Sequence, residues 1–235
     1  MFSRFQPPNP GNGVEAAGIV SSSGLTEKAR EWMELVRPYL SEHRNSVHRF
    51  SPKESALLVI DMQRYFLERD SHAYIPSSEA IVGNVQNLVA EYRRRSSPVI
   101  FTRHALLPDE NPGAMGRWWA DNIREGDPLS QIAPALKPLH GDTVLRKSKY
   151  SAFAGTDLEE KLLRQGVSQI LITGVMTHLC CETTARDAFM RDFDVFIVID
   201  GTASNTEDLH VAALMTLADG FAIPVTTEEV LRWMR

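Results

Sequence analysis

Cysteine is nearly absent from this chain: its 235 residues hold two, Cys180 and Cys181, side by side. Adjacent cysteines pair poorly because the disulfide they would form is strained. No disulfide framework is expected, and a reducing compartment is. Long apolar runs are missing too, since none approaches the ~20 residues needed to span a bilayer. The polar, Pro-rich residues 1–12 lack the apolar stretch of a secretory signal. Positive charge is not in surplus: the net charge is −5, which speaks against nucleic acid or an acidic membrane as partner. No Gly-x-Gly-x-x-Gly follows the first apolar run, which argues against a dinucleotide. These absences leave the expectation of a soluble, cytoplasmic protein acting on a small molecule, with no cofactor.

What is present is the composition of a globular α/β chain. The apolar fraction is 43% and the charged fraction 23%, ordinary values for a soluble domain. Residues 1–50 are read as an arm and a helix, and 51–235 as one domain. The arm, residues 1–24, is rich in Pro, Gly, Ser and Asn, a composition that stays flexible. Thr26 is the expected cap of a helix over 27–43 carrying the apolar stripe Ala29, Trp32, Met33, Leu35, Val36 and Leu40, with Pro38 bending or splitting it.

From there strands and helices alternate. Continuous apolar runs predict strands at 56–60, 98–102, 143–145, 169–175, 195–199 and 223–225. Apolar spacing predicts helices over 80–95, 157–165, 180–191, 207–218 and a last one from Glu228 capped by Thr227. Such alternation implies about six parallel strands in a single doubly wound sheet with helices on both faces. The long segment 103–138, with its Pro and Gly residues and the pair Trp118 and Trp119, reads as a binding loop or lid.

The stretch around Cys180 carries the chemistry. A buried strand runs through a short turn into a helix whose start bears a thiol. Free N–H groups and the positive end of the helix dipole favour a thiolate there and suit a developing oxyanion. A small buried hydrophobe is the alternative reading of the same cysteine. In a parallel sheet, the polar groups that follow the strands lie along one edge, where such folds bind ligands. Those groups are Asp61, Lys147, Cys180 and Asp200. Asp61 is placed to exchange a proton with the thiol, Lys147 to stabilise both charges, and Cys180 to attack a carbonyl. Each has a plainer alternative: Asp61 as a cap, Lys147 as a solvated cation with Lys149 competing for its place, and Asp200 with Gly201 as turn chemistry.

Three segments together resemble the isochorismatase-like hydrolases, also called the cysteine hydrolase superfamily. The first is Leu57, Leu58, Val59, Ile60, Asp61, Met62, Gln63, Arg64, Tyr65 and Phe66. The second runs Lys147, Ser148, Lys149, Tyr150, Ser151, Ala152 and Phe153. The third is Thr173, Gly174, Val175, Met176, Thr177, His178, Leu179 and Cys180, followed by Thr183, Thr184 and Ala185. The resemblance implies a six-stranded parallel sheet and an Asp61, Lys147, Cys180 triad, with Cys180 preferred to Cys181. It also implies a cis peptide at Val175–Met176 and an oxyanion hole made by the N–H groups of Met176 and Cys180. Phe66, His104, Arg117, Trp118, Trp119, Tyr150 and Thr177 are the expected substrate-facing residues, with Arg117 suited to a substrate carboxylate.

The resemblance also sorts the branches of the family. Metal-dependent nicotinamidases carry an Asp-x-His…His cluster after the second strand. Here that region reads Thr102, Arg103, His104, Ala105 and Leu106, so no metal site is expected. True isochorismatases usually have Gly where Cys180 stands. The expected activity is therefore hydrolysis of a C–N bond in a small amide, ureido or carbamoyl compound through a covalent thioester. The rivals are isochorismatase chemistry, with Asp61 as general acid and pyruvate released, and a catalytically silent binding domain. A homo-oligomer, dimer or tetramer, is the family's usual assembly.

Overall fold

The computed structural model describes residues 23–40 and 49–235. The expected arm and the C-terminal part of the first expected helix lie outside the described residues. Six strands form one sheet: β1 Ser55–Ile60, β2 Val99–His104, β3 Thr143–Lys147, β4 Gln169–Val175, β5 Asp194–Ala203 and β6 Ile223–Val225. Their order is β3-β2-β1-β4-β5-β6 and every pairing is parallel. All residues of β1 and β4 are buried. That is the physical reason both read as unbroken apolar runs: a strand covered on two faces has no solvent side to mark with polar residues.

The described helices are α1 Leu25–Val36, α2 Arg64–Leu67, α3 Ser78–Arg94, α4 Gly113–Trp119, α5 Leu158–Arg164, α6 Glu182–Phe189, α7 Glu207–Gly220 and α8 Thr227–Trp233. The helices α3 and α8 pack together on one face of the sheet, and α1, α6 and α7 on the other. In α3 the residues Ile81, Val85, Leu88, Val89 and Tyr92 face the core, at the helical spacing that predicted them. The strand order reverses direction between β1 and β4. A doubly wound sheet opens a crevice at that point, outside the strands' carboxyl ends.

Several boundaries differ from expectation. Gly24, not Thr26, precedes α1, and the helix stops at Val36. Pro38 then lies in a short 3₁₀ turn over Arg37–Tyr39, as its missing N–H requires. Thr226, not Thr227, caps α8, in a capping box with Glu229. Strand β5 does not end at Asp200 but continues to Ala203 through a bulge, where its register against β4 shifts between Ile172 and Gly174. Inside that bulge Asp200 accepts hydrogen bonds from the Thr227 N–H and hydroxyl at 2.8 and 3.0 Å, and from Asn84 at 3.0 Å. It ties β5 to α8 and α3 and is not part of the catalytic edge. No described helix is long and apolar enough to cross a membrane.

This placement has a measurable consequence. Asp200→Ala strands the two buried Thr227 donors and is expected to cost about 2 kcal/mol in urea unfolding, while turnover per folded molecule changes less than about twofold. A loss of turnover at full folding would return Asp200 to the site.

Candidate active site

The site is assembled across four neighbouring strands. Asp61 follows β1, Thr102 and His104 lie at the end of β2, Lys147 ends β3, and Cys180 follows β4. Strands sit about 4.8 Å apart, so β3 is two spacings from β1. A side chain as long as lysine bridges that gap. The Lys147 Nζ lies 2.6 Å from Asp61 Oδ2 and 3.3 Å from Cys180 Sγ, and it also donates to the Lys149 carbonyl at 3.0 Å. The competing Lys149 thus contributes its backbone to the lysine that reaches the centre.

Asp61 is held on its other side by Thr102. The Thr102 hydroxyl donates to Asp61 Oδ1 at 2.6 Å and accepts from the Asp61 N–H at 3.0 Å. Asp61 has φ +48°, a left-handed conformation that aspartate tolerates better than most residues. The carboxylate thus has partners on both sides: Oδ1 takes the threonine, Oδ2 faces the ammonium, and the Cys180 thiol also lies within hydrogen-bonding reach of the carboxylate. Sequence reasoning missed Thr102. The signal was available, because it is the last residue of the predicted second strand and the search for polar strand ends passed over it.

Cys180 does not open an α-helix. Thr177–Cys181 forms a π-helical turn, and α6 begins at Glu182. Wide turns of this kind recur at functional sites, and this one keeps Cys180 in the first turn of the helical stretch. Burial pushes the Cys180 thiol up to about 12; Lys147 opposes that rise and Asp61 adds to it. At neutral pH the resting centre is therefore a protonated thiol beside a carboxylate–ammonium pair. Burial alone would lower the Lys147 ammonium, but Asp61 and Cys180 outweigh it and raise it. Cys181 is fully buried, and its thiol is raised further by burial and by its neighbour.

The turn itself depends on Gly174, whose φ is +111°. A Cβ there would stand 2.0 Å from the Ile60 carbonyl oxygen. This contact clamps β4 against β1 at the residue just before Asp61. The Val175–Met176 peptide that follows is cis, as the resemblance implied.

The expected substrate-facing residues divide. Trp119 on α4 donates to the hydroxyl of Tyr150, in the segment after β3, at 2.6 Å. Trp118 is 79% exposed, and Arg117 beside it is exposed. Phe66 is partly buried on α2. His104 pairs in register with Lys147, and its backbone is gripped by the Gln63 side chain. Its Nδ1 is buried without a hydrogen-bond partner. Burial, then the charge of Lys147, lowers the imidazole to about 4, so it is neutral under physiological conditions. Thr177 is fully buried, and its hydroxyl is engaged by His210 at 2.8 Å. Among the described residues no group of three His, Cys, Asp or Glu side chains is placed to hold a metal ion.

Two measurements follow. Gly174→Ala must push β4 from β1, and is expected to lose at least about 2 kcal/mol of stability together with the Asp61 to Cys180 alignment; wild-type unfolding and activity would contradict the clamp. His104 and His210, each lowered to about 4 mainly by burial, take up protons more readily when unfolded, where the ordinary value is about 6.5. Stability is then constant above pH 6.5 and falls as pH drops towards 4, by up to roughly 1.4 kcal/mol per pH unit for each histidine. Urea midpoints across that range should fall less steeply in His104→Gln.

With the geometry in place, comparison with known proteins is informative. The Isochorismatase domain family model matches residues 55–229. Nicotinamidase 3 of Arabidopsis thaliana is 42% identical over 183 residues, covering 77% of this chain and 88% of the relative. Enterobactin synthase component B of Escherichia coli is 35% identical over 183 residues, covering 77% of this chain and 64% of the relative. A crystal structure of a cysteine hydrolase from Pseudomonas syringae superposes with a TM-score of 0.76 at 30% identity, covering 79% of this chain and 94% of that one.

Proposed function

The chain belongs to the isochorismatase family of hydrolases, and we propose that within it the protein is a metal-independent cysteine amidohydrolase acting on a small amide, ureido or carbamoyl compound. The observation that carries this reading is one ammonium, Lys147 Nζ, held between Asp61 Oδ2 at 2.6 Å and Cys180 Sγ at 3.3 Å in a buried site. A vinyl-ether hydrolysis needs an acid but no thiol. A thiol brought to a buried ion pair has a use in acyl transfer.

The steps balance as follows. Asp61 removes the Cys180 proton as the sulfur attacks the carbonyl carbon, and Lys147 stabilises the anionic charge in transit. The tetrahedral oxyanion is held by the N–H groups of Met176 and Cys180. Collapse breaks the C–N bond, and Asp61 returns the proton to the leaving nitrogen, giving ammonia or an amine and a thioester. Water then attacks the thioester, with Asp61 as base, releasing the acid and restoring the thiol. Since burial holds the resting thiol protonated, this proton transfer belongs to the attack on substrate. Trp119, Tyr150, Phe66 and His104 are the walls of the proposed pocket. Arg117 and Trp118 are its exposed rim, contributed from α4.

The relative named as a nicotinamidase makes nicotinamide the first amide to try. The relative that bears the enterobactin name, and the family model itself, favour isochorismate as the second reading. The test is ammonia release from nicotinamide and a panel of amide, ureido and carbamoyl compounds, with pyruvate release from isochorismate run alongside. Native protein should release ammonia from at least one compound, and Cys180→Ala should lower that kcat/KM by a factor on the order of 10³ or more. Pyruvate released equally by both proteins would replace the amidohydrolase with an isochorismatase using Asp61 as acid.

A further inference from the structure

The helix α1 precedes the stretch matched by the family model, which begins at residue 55. It nevertheless packs against α7 and β5, and one of its residues lies two side chains from the catalytic turn. The Trp32 ring stands over the His210 imidazole with centroids 4.4 Å apart. Its indole N–H donates to Glu207 at 2.8 Å, and Lys28 of the same helix pairs with that carboxylate at 3.2 Å. Beneath the indole, His210 Nδ1 meets the Thr177 hydroxyl at 2.8 Å. Trp32, Thr177 and His210 are all at most 5% exposed.

Thr177 occupies a decisive position. It directly follows Met176 and opens the π-helical turn that ends in Cys180 and Cys181. Two N–H groups in the mechanism, those of Met176 and Cys180, belong to this short segment. Backbone donors stabilise an oxyanion only when they are aimed in advance; within the turn the Leu179 and Cys181 N–H groups both donate to the single Met176 carbonyl, at 3.1 and 3.2 Å, so side-chain contacts add to what fixes its orientation. The Thr177 hydroxyl is a side-chain tether on that segment, and its anchor is a histidine on a different helix.

We propose that His210 is a positioning residue for the catalytic turn, holding Thr177 and through it the backbone donors at Met176 and Cys180, and that Trp32 of α1 seals this contact from water. The reading rests on the hydrolase chemistry proposed above. It gives α1 a task in catalysis and gives Thr177 a role turned inwards, away from substrate. It also accounts for a buried histidine kept neutral. A proton on that ring would bring a positive charge under the turn, and the groups facing it are the Ile199 backbone on β5, Glu207 on its own helix and His178 on the turn, with Lys28 of α1 bound to that glutamate.

The experiment compares variants that delete the tether with variants that keep it. Thr177→Val and His210→Leu should each lower kcat roughly 10- to 100-fold with KM within about twofold, since a small misplacement of donors affects the transition state more than binding. Thr177→Ser and His210→Asn, which retain a polar atom at the right place, should recover most of kcat. The double variant should be no worse than either single one, as for two members of one contact. Trp32→Ala, which admits water to the ring, should add a loss of kcat below about pH 6.5, the ordinary histidine range, absent in Trp32→Phe. A second readout needs no substrate: alkylation of Cys180 by iodoacetamide, followed by mass spectrometry, should quicken on the order of fivefold in Thr177→Val as the turn loosens. Lowered melting temperatures with native kcat and native alkylation rates would overturn the proposal and leave a packing contact. If the native protein hydrolyses none of the compounds, the amidohydrolase reading falls, while the alkylation rates still decide whether His210 holds the turn.

Discussion

One buried ion pair sets the terms for the rest of the structure. Asp61 and Lys147 are both fully shielded from solvent and 2.6 Å apart. Either charge alone in that setting would cost several kcal/mol, so neither side chain can be placed without the other. Their parent strands are separated by β2, and the pair therefore requires β1, β2 and β3 to be in register. Thr102, on the strand between, satisfies the oxygen that the ammonium does not reach. The pair is poor evidence of stability, because a buried ion pair seldom repays its desolvation. It lies at the point where the strand order reverses, the place where sheets of this kind bind ligands.

A second constraint acts from the other side of the crevice. Gly174 brings β4 to within backbone contact of Ile60, so the turn carrying Cys180 is delivered against the residue that precedes Asp61. The thiol then meets the ion pair in a dry setting. Burial keeps it protonated, Lys147 partly offsets that effect, and Asp61 reinforces it. A thiolate formed in advance would expose the cysteine to oxidation and alkylation.

The helix that lies before the matched domain extends the same logic outward. Lys28, Trp32, Glu207, His210 and Thr177 form a chain of contacts from the surface of α1 to the catalytic turn. Hydrogen bonds join Lys28 and Trp32 to Glu207 and His210 to Thr177, and a ring contact joins Trp32 to His210. The Glu207 carboxylate is lowered by the Trp32 hydrogen bond and by Lys28, which keeps it charged and the chain intact at neutral pH.

Much of this was legible in the sequence. The buried strands announced themselves as unbroken apolar runs, and β4 was bounded correctly by them. The residues Asp61, Lys147 and Cys180 could be singled out because chemistry in a parallel sheet gathers at strand ends, a rule that needs only strand positions. Local sequence could not say that β5 runs through a bulge, because a bulge is a property of the pairing with β4; Asp200 was misplaced for that reason. Strand position alone left Lys149 competing with Lys147; the resemblance preferred Lys147, and it is the Lys147 ammonium that lies between Asp61 and Cys180. Nor could local sequence find the inward turn of Thr177. Its partner His210 is 33 positions away, and a hydrogen bond between distant segments leaves no periodicity to read. Composition and pattern thus determined the layers and the list of reactive groups. Which of those groups touch, and which lie apart, was decided by distances that only the folded chain creates.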